Sequence, residues 1–134
     1  LKAEVNHTPQ WLINHRESGH EVAEQPKDFY SGEIFVVEAE SSEAPVKEVT
    51  AWVNTVGKDN KSIIVSVRLT AASASQYIAE LFDERWMAPA SSLPNGLLAI
   101  YFRIEYQNGI IKEETVTVRI IDNVYKAAGV HRRQ

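Results

Sequence analysis

With 134 residues, 44% of them hydrophobic and 24% charged, the chain has the balance of one globular domain and is long enough to bury roughly two-thirds of its unfolded surface around a single core. A formal charge of -4 and a pI near 5.6 supply no basic footprint for phosphate, which sets nucleic acid aside, and no apolar run approaches the ~20 residues that cross a bilayer, so no membrane insertion is expected. Cysteine is absent, which removes disulfides, thiolate nucleophiles and zinc-thiolate sites together.

Residues 2–6, KAEVN, read as a short strand. His7-Thr8-Pro9 then carries a helix start: Thr8 offers a capping hydroxyl, and Pro9 fits the first helical position, where no N–H is needed. The helix continues through QWLINHRES, with Trp11, Leu12 and His15 on one semi-apolar stripe and Gly19 as a left-handed stop. Residues 20–31, HEVAEQPKDFYS, are polar around Pro26 and read as an irregular connection held down by Phe29 and Tyr30.

From Gly32 the period changes to two. GEIFVVEAE offers Phe35, Val37 and Ala39 as the cleaner core face, and SSEAP breaks the run. VKEVTAWVN alternates Val49, Ala51 and Val53 against Thr50, Trp52 and Asn54, and GKDNK is a turn. KSIIVSVRLT reads as one strand with Ile63, Val65, Val67 and Leu69 inward. In the next run Tyr77, Ala79 and Leu81 form the buried set. RWMAPASSLPNG, with two prolines and a glycine, ends regular structure before Leu97. LLAIYFRIEY then turns Leu98, Ile100, Phe102 and Ile104 one way and Leu97, Ala99, Tyr101, Arg103 and Glu105 the other, and IIKEETVTVRII buries Val116, Val118 and Ile120. Only Gln107-Asn108-Gly109 separates these runs. An Asn-Gly pair tolerates the positive φ angles of a tight turn, so the two are expected to pair antiparallel.

About seven short strands, each with one apolar face, require a second sheet to bury that face. The expected fold is therefore an all-β antiparallel sandwich with a short N-terminal helix, a barrel being the main competitor. Residues 1–31 would supply a strand, helix and irregular connection packed on the sandwich, residues 32–121 the sandwich itself, and residues 122–134 a polar tail.

Chemistry is harder to place. Of the four histidines, His7, His15 and His20 cluster near the helix and His131 stands apart, but spacings of eight and five do not match the helical i, i+4 pattern that converges on a metal. Asp83-Glu84 and Asp59-Asn60 lack the alternating ligands of a calcium loop. Glu80 with Asp83 could be nominated as a glycosidase pair, but nothing in the sequence sets the ~5 to 9.5 Å separation such catalysis needs. No serine sits in a Gly-x-Ser-x-Gly turn and no glycine-rich phosphate loop occurs. No catalytic residue, metal site or cofactor is expected. The aromatics offer more: Trp52, Tyr77 and Trp86 would suit a flat platform that stacks on sugar rings. The competing reading packs Trp52 beneath the helix through Trp11 or Leu12 and uses Trp86-Met87 to plug one end of the sandwich.

HTPQW near the start, FYSGEIF, AELFDE, LPNGLLAIYFRIEYQNG and His131-Arg132 together resemble an immunoglobulin-like module that recurs in large secreted proteins of Gram-positive bacteria. The final hairpin alone resembles the last third of immunoglobulin-like and fibronectin-type-III-like modules. The likeness spans most of the chain, yet its motifs are structural. It implies an immunoglobulin/fibronectin-III-like sandwich in an extracellular or cell-surface setting, and it brings no catalytic residue to transfer. The chain departs from antibody-type domains in having no cysteine pair and hence no tyrosine placed before a strand cysteine. Leu1 is neither an initiator methionine nor the start of a signal peptide, so a longer parent is expected. The first functional expectation is a non-catalytic structural or adhesion module whose partners are neighbouring domains of the same chain or a protein or polysaccharide ligand. The second is a carbohydrate-binding module that uses exposed aromatics. The third, a small hydrolase, has no legible base and nucleophile behind it.

Overall fold

Each long strand carries its apolar residues on one side, and the structure, a computed structural model that describes residues 1–15, 27–43 and 45–121, sets those sides against one another in two facing sheets. In chain order the elements are β1 (Lys2–Asn6), α1 (Pro9–His15), β2 (Asp28–Tyr30), β3 (Phe35–Glu40), β4 (Val46–Val56), β5 (Ser62–Arg68), β6 (Thr70–Ala71), β7 (Gln76–Leu81), a 3-10 turn (Glu84–Trp86), α2 (Met87–Ser91), β8 (Gly96–Tyr106) and β9 (Ile111–Ile121). A four-stranded sheet runs β1-β3-β7-β6 and a five-stranded sheet runs β2-β9-β8-β4-β5. Among the described residues every pairing is antiparallel except that of β2 with β9.

The all-β sandwich stands as expected, and so do its inward faces. Phe35, Val37 and Ala39 of β3 and Leu81 of β7 share one core with Val49, Ala51 and Val53 of β4 and with Leu98, Ile100, Phe102 and Ile104 of β8, all of them buried. Burial of this apolar area, at roughly 25 cal/mol per Å², is what holds two sheets together without disulfides. Val67, Val116, Tyr77 and Ala79 pack on the rim of that core, partly exposed.

The strand count is corrected: the described residues form nine strands, where about seven were expected. One addition is β2, inside the stretch read as irregular. The Arg119 N–H donates to the Lys27 carbonyl (2.9 Å) and the Ser31 N–H to the Ile121 carbonyl (3.0 Å), so these three residues extend the sheet beyond β9. The other addition comes from a change of sheet. Leu69 N–H still donates to the Val49 carbonyl at 2.8 Å, but Thr70 and Ala71 pair with Ile78 and Tyr77 in the opposite sheet, splitting KSIIVSVRLT into β5 and β6. The segment before residue 32 thus contributes β1 to one sheet and β2 to the other.

α1 begins as its sequence requires. Thr8 Oγ1 accepts the Trp11 N–H at 3.2 Å, and Pro9 occupies the first helical position. The remainder of QWLINHRES, the Gly19 stop, most of the connection before β2 and the tail at 122–134 lie outside the described residues. The proline-rich loop is also corrected, because it holds the 3-10 turn and α2. Pro89 is the third residue of α2, where the backbone N–H has no intrahelical partner to lose.

The last hairpin pairs without a break from Gly96↔Ile120 to Glu105↔Ile111. Its turn differs in one respect from the expectation: positive φ falls on Gly109 alone (91°), while Asn108 uses its Oδ1 to accept the Ile110 N–H at 3.0 Å. This is a three-residue loop closed by a glycine bulge, in which only the last position demands a left-handed residue.

Candidate binding face

Burying Val49, Ala51, Val53, Ile100, Phe102 and Ile104 leaves the alternate residues of β4 and β8 on the outer face of the five-stranded sheet. Register then decides which of them meet. Trp52 lies opposite Tyr101, and their rings stack with centroids 5.6 Å apart and planes 26° from parallel. Ser66 of β5 and Thr115 of β9 complete this row across four strands. The next row is Arg68, Thr50, Arg103 and Glu113. Glu105 forms ion pairs with Lys47 at 3.6 Å and Arg103 at 3.8 Å, and Glu48 pairs with Arg68 at 3.8 Å. Ile64 (63% exposed) and Leu97 (69%) are apolar points on the same face. A half-exposed aromatic pair set among hydroxyls and charges of both signs is suited to non-covalent contact: aromatic faces supply area at little entropic cost, and the surrounding polar groups orient a partner.

The three aromatics expected to form one platform are not brought together. Trp52 is on this outer face, Tyr77 packs inward from β7, and Trp86, the last residue of the 3-10 turn, rests on the core. Trp52 does not pack beneath α1 either, because α1 lies against the four-stranded sheet and Trp52 stands on the outer face of the other one. Tyr101 is the residue that sequence reasoning missed as a site member. Its outward orientation was legible from alternation, but its pairing with Trp52 depends on a register between strands distant in sequence.

His7 is neither a surface nor a capping residue. It is 5% exposed, its Nδ1–H donates to Glu33 Oε1 at 2.6 Å, and its ring lies between Trp11 (centroids 3.6 Å) and Phe29 (4.3 Å). Glu33 Oε2 also accepts the Tyr30 N–H at 2.7 Å. The cluster clamps α1 to β2, so its chemistry is spent on structure. The side chain of His15, and His20 and His131 entirely, lie outside the description, and among the described residues no group of three His, Cys, Asp or Glu is placed to hold a metal ion.

Of the acidic candidates, Asp83 and Asp59 are tied up locally. Asp83 accepts from Arg85 Nε at 3.2 Å and Nη2 at 2.9 Å, and this hydrogen bonding holds its carboxyl below the usual range. Asp59 Oδ1 accepts the Lys61 N–H at 3.1 Å within its turn. Glu80 projects from the four-stranded sheet. Ser41 is buried and shares a 2.6 Å hydrogen bond with the Tyr106 hydroxyl, locking the end of β3 to β8. No protein-family model, no curated protein and no solved structure matches this chain.

Proposed function

We propose that the chain is a non-catalytic immunoglobulin-like module of a larger extracellular or cell-surface protein, acting as a spacer or docking unit through the outer face of its five-stranded sheet. The strand order supports the finer fold. With β1, β3, β4, β5, β6, β7, β8 and β9 read as A, B, C, C′, D, E, F and G, the sheets become A-B-E-D and C′-C-F-G, the second extended by β2 beside G, an order like that of immunoglobulin-like sandwiches. The observation that carries the docking role is the Trp52–Tyr101 stack at the middle of that face, where hot-spot aromatics are most effective.

The partner in this reading is a neighbouring domain of the same chain or a protein ligand. Hydrogen exchange on the isolated domain and on the parent chain tests it: amides of residues 50–54 and 99–103 should gain protection in the parent, and Trp52→Ala should remove the gain. Equal protection in both would sink the docking role. A second reading, a carbohydrate-binding module, is favoured by the Ser66, Thr50 and Thr115 hydroxyls around the aromatic pair. Saturable binding to peptidoglycan, chitin or plant glucans on an array, lost in Trp52→Ala or Tyr101→Ala, would establish that reading in place of the first.

A further inference from the structure

The outer face of the four-stranded sheet differs from the aromatic face in shape and charge. Register places Asn6, Val36 and Glu80 in one row and Glu4, Glu38, Ile78 and Thr70 in the next, with Lys2, Glu40 and Gln76 beyond. α1 overhangs one side of this surface. Between helix and sheet lies a groove of about 670 Å³, within the ~300 to 1,000 Å³ range of ligand sites. Val36 and Ile78 form an apolar floor, Pro9 and Leu12 an apolar wall, and Glu38 and Glu80 stand at its rim. Leu12 is 47% and Ile78 37% exposed, so the apolar surface is accessible.

The charges on this face do not balance. Glu4, Glu38, Glu40 and Glu80 stand against Lys2 and Lys27, and Lys27 already donates to Asn6 Oδ1, whose amide donates in turn to Glu38 Oε2 at 2.8 Å and Glu4 Oε1 at 3.1 Å. Glu80 is exposed, and its carboxylate makes no hydrogen bond or ion pair among the described residues. An apolar floor ending in carboxylates matches a lysine or arginine side chain, which lays its methylene stem on hydrocarbon and keeps its cation at the polar edge. Glu38 and Glu80 are diagonal neighbours on paired strands, about 7–8 Å apart, close enough to share one cationic head. Glu40 follows Glu38 by two residues along β3, roughly 6.7 Å further on, which is the repeat of alternate side chains in an extended chain.

We propose that this groove binds an extended basic segment of a partner protein, with lysine or arginine at alternate positions, one stem laid over Val36 and Ile78 and its cation held between Glu38 and Glu80. The excess of carboxylates steers such a segment to the face and disfavours acidic ones.

Titrating the isotope-labelled chain with capped Lys-Val-Lys-Val-Lys tests this by backbone amide shifts. Saturable shifts confined to residues 36–40 and 76–80 are expected. The double variant Glu38→Gln/Glu80→Gln keeps an oxygen for Asn6 and should weaken binding at least about tenfold, the scale of one lost charge-assisted contact. Its circular dichroism should match the wild type. Equal binding by Glu-Val-Glu-Val-Glu, equal binding by the block sequence Lys-Lys-Lys-Val-Val, or affinity unchanged in the double variant would overturn the proposal. So would self-association abolished by Leu12→Glu, which assigns the groove to a second copy, or cross-peaks from the groove to Lys126 or Arg132, which assign it to the chain's own basic residues.

Discussion

The β4–β5 and β8–β9 hairpins close on one hydrogen-bond pattern. In the first, the Gly57 N–H donates to the Lys61 carbonyl at 2.8 Å and the Asn60 N–H to the Gly57 carbonyl at 2.9 Å. In the second, Tyr106 and Ile110 and then Gly109 and Tyr106 make the same two bonds, each at 2.9 Å. Asp59 and Asn108 hold matching positions, each accepting the N–H two residues on, and the left-handed site is filled by Asn60 (φ 67°) in one turn and Gly109 (φ 91°) in the other. The strands around these turns are not alike. β8 lies between β4 and β9 and buries five residues at 5% exposure or less, whereas β5 forms the sheet edge and buries Ile63 and Val65. Turn chemistry sets where a chain reverses. What the hairpin contributes to stability depends on how many neighbours its strands have.

The largest effect should separate centre from edge. Phe102, fully buried between Ala51 and Glu114 in register, should cost roughly 3 to 5 kcal/mol when replaced by alanine. Val65→Ala on β5 removes less hydrocarbon from a site with one strand neighbour and should cost about 2 kcal/mol. Urea titrations of both variants read the difference directly. Equal losses would mean that the edge strand is as deeply embedded as the centre.

Next come the left-handed positions. A Cβ at Gly109 would meet no atom within 4 Å, so the penalty of Gly109→Val is chiefly conformational, about 1 to 3 kcal/mol for a β-branched residue at positive φ. Asn60→Gly relieves a milder strain while loosening the unfolded chain, and should leave stability within about 0.5 kcal/mol of the wild type. Thermal melts of the two variants decide whether the turns are as equivalent as their hydrogen bonds. A Gly109→Val protein that melts with the wild type would place the strain elsewhere.

These hairpins also show what was legible beforehand. Alternation marked the inward faces of β3, β4, β5, β8 and β9, because a strand with one buried face has no freedom in which residues it turns inward. Gln107-Asn108-Gly109 announced the reversal through its glycine. Leu69 gave no warning of the change of sheet, since Ile63, Val65, Val67 and Leu69 keep the same period on both sides of it. β2 was hidden for a different reason: three residues are too few to show a period, and their partner β9 lies at the far end of the described chain. Distance in sequence also concealed the pairing of Trp52 with Tyr101 and of His7 with Glu33. A residue type can suggest stacking or metal binding, but only register decides which partner arrives.

A smaller test addresses the matched side chains in the turns. Asp59→Ala and Asn108→Ala each delete one exposed side-chain-to-backbone bond, and each should cost about 0.5 to 1 kcal/mol at neutral pH. The two losses should agree. A loss at one turn alone would show that the shared pattern conceals different energetics.

The smallest effect belongs to an exposed side-chain tie on the β8–β9 hairpin. Lys112 at the base of β9 donates to both Glu43 oxygens at 2.9 Å, joining the hairpin to the connection between β3 and β4. That hydrogen bonding, and then the lysine charge, hold the Glu43 carboxyl below its ordinary 4.5, while the same pairing raises Lys112 above 10.5. A carboxyl with a depressed folded pKa binds its proton less readily folded than unfolded, so its stabilisation is present above 4.5 and fades as pH falls through the folded value. Lys112 has the opposite sign: its share is complete below 10.5 and fades as pH rises through the raised value. Glu43 is exposed and Lys112 half-exposed, so the contribution is small and screened by salt. Melting wild type beside Glu43→Gln should therefore show a narrow gap in Tm at neutral pH that closes as pH falls through the folded value and also closes in about 1 M salt. A gap that persists at low pH would mean that Glu43 acts through packing, and the extra hold on this hairpin would then not be electrostatic.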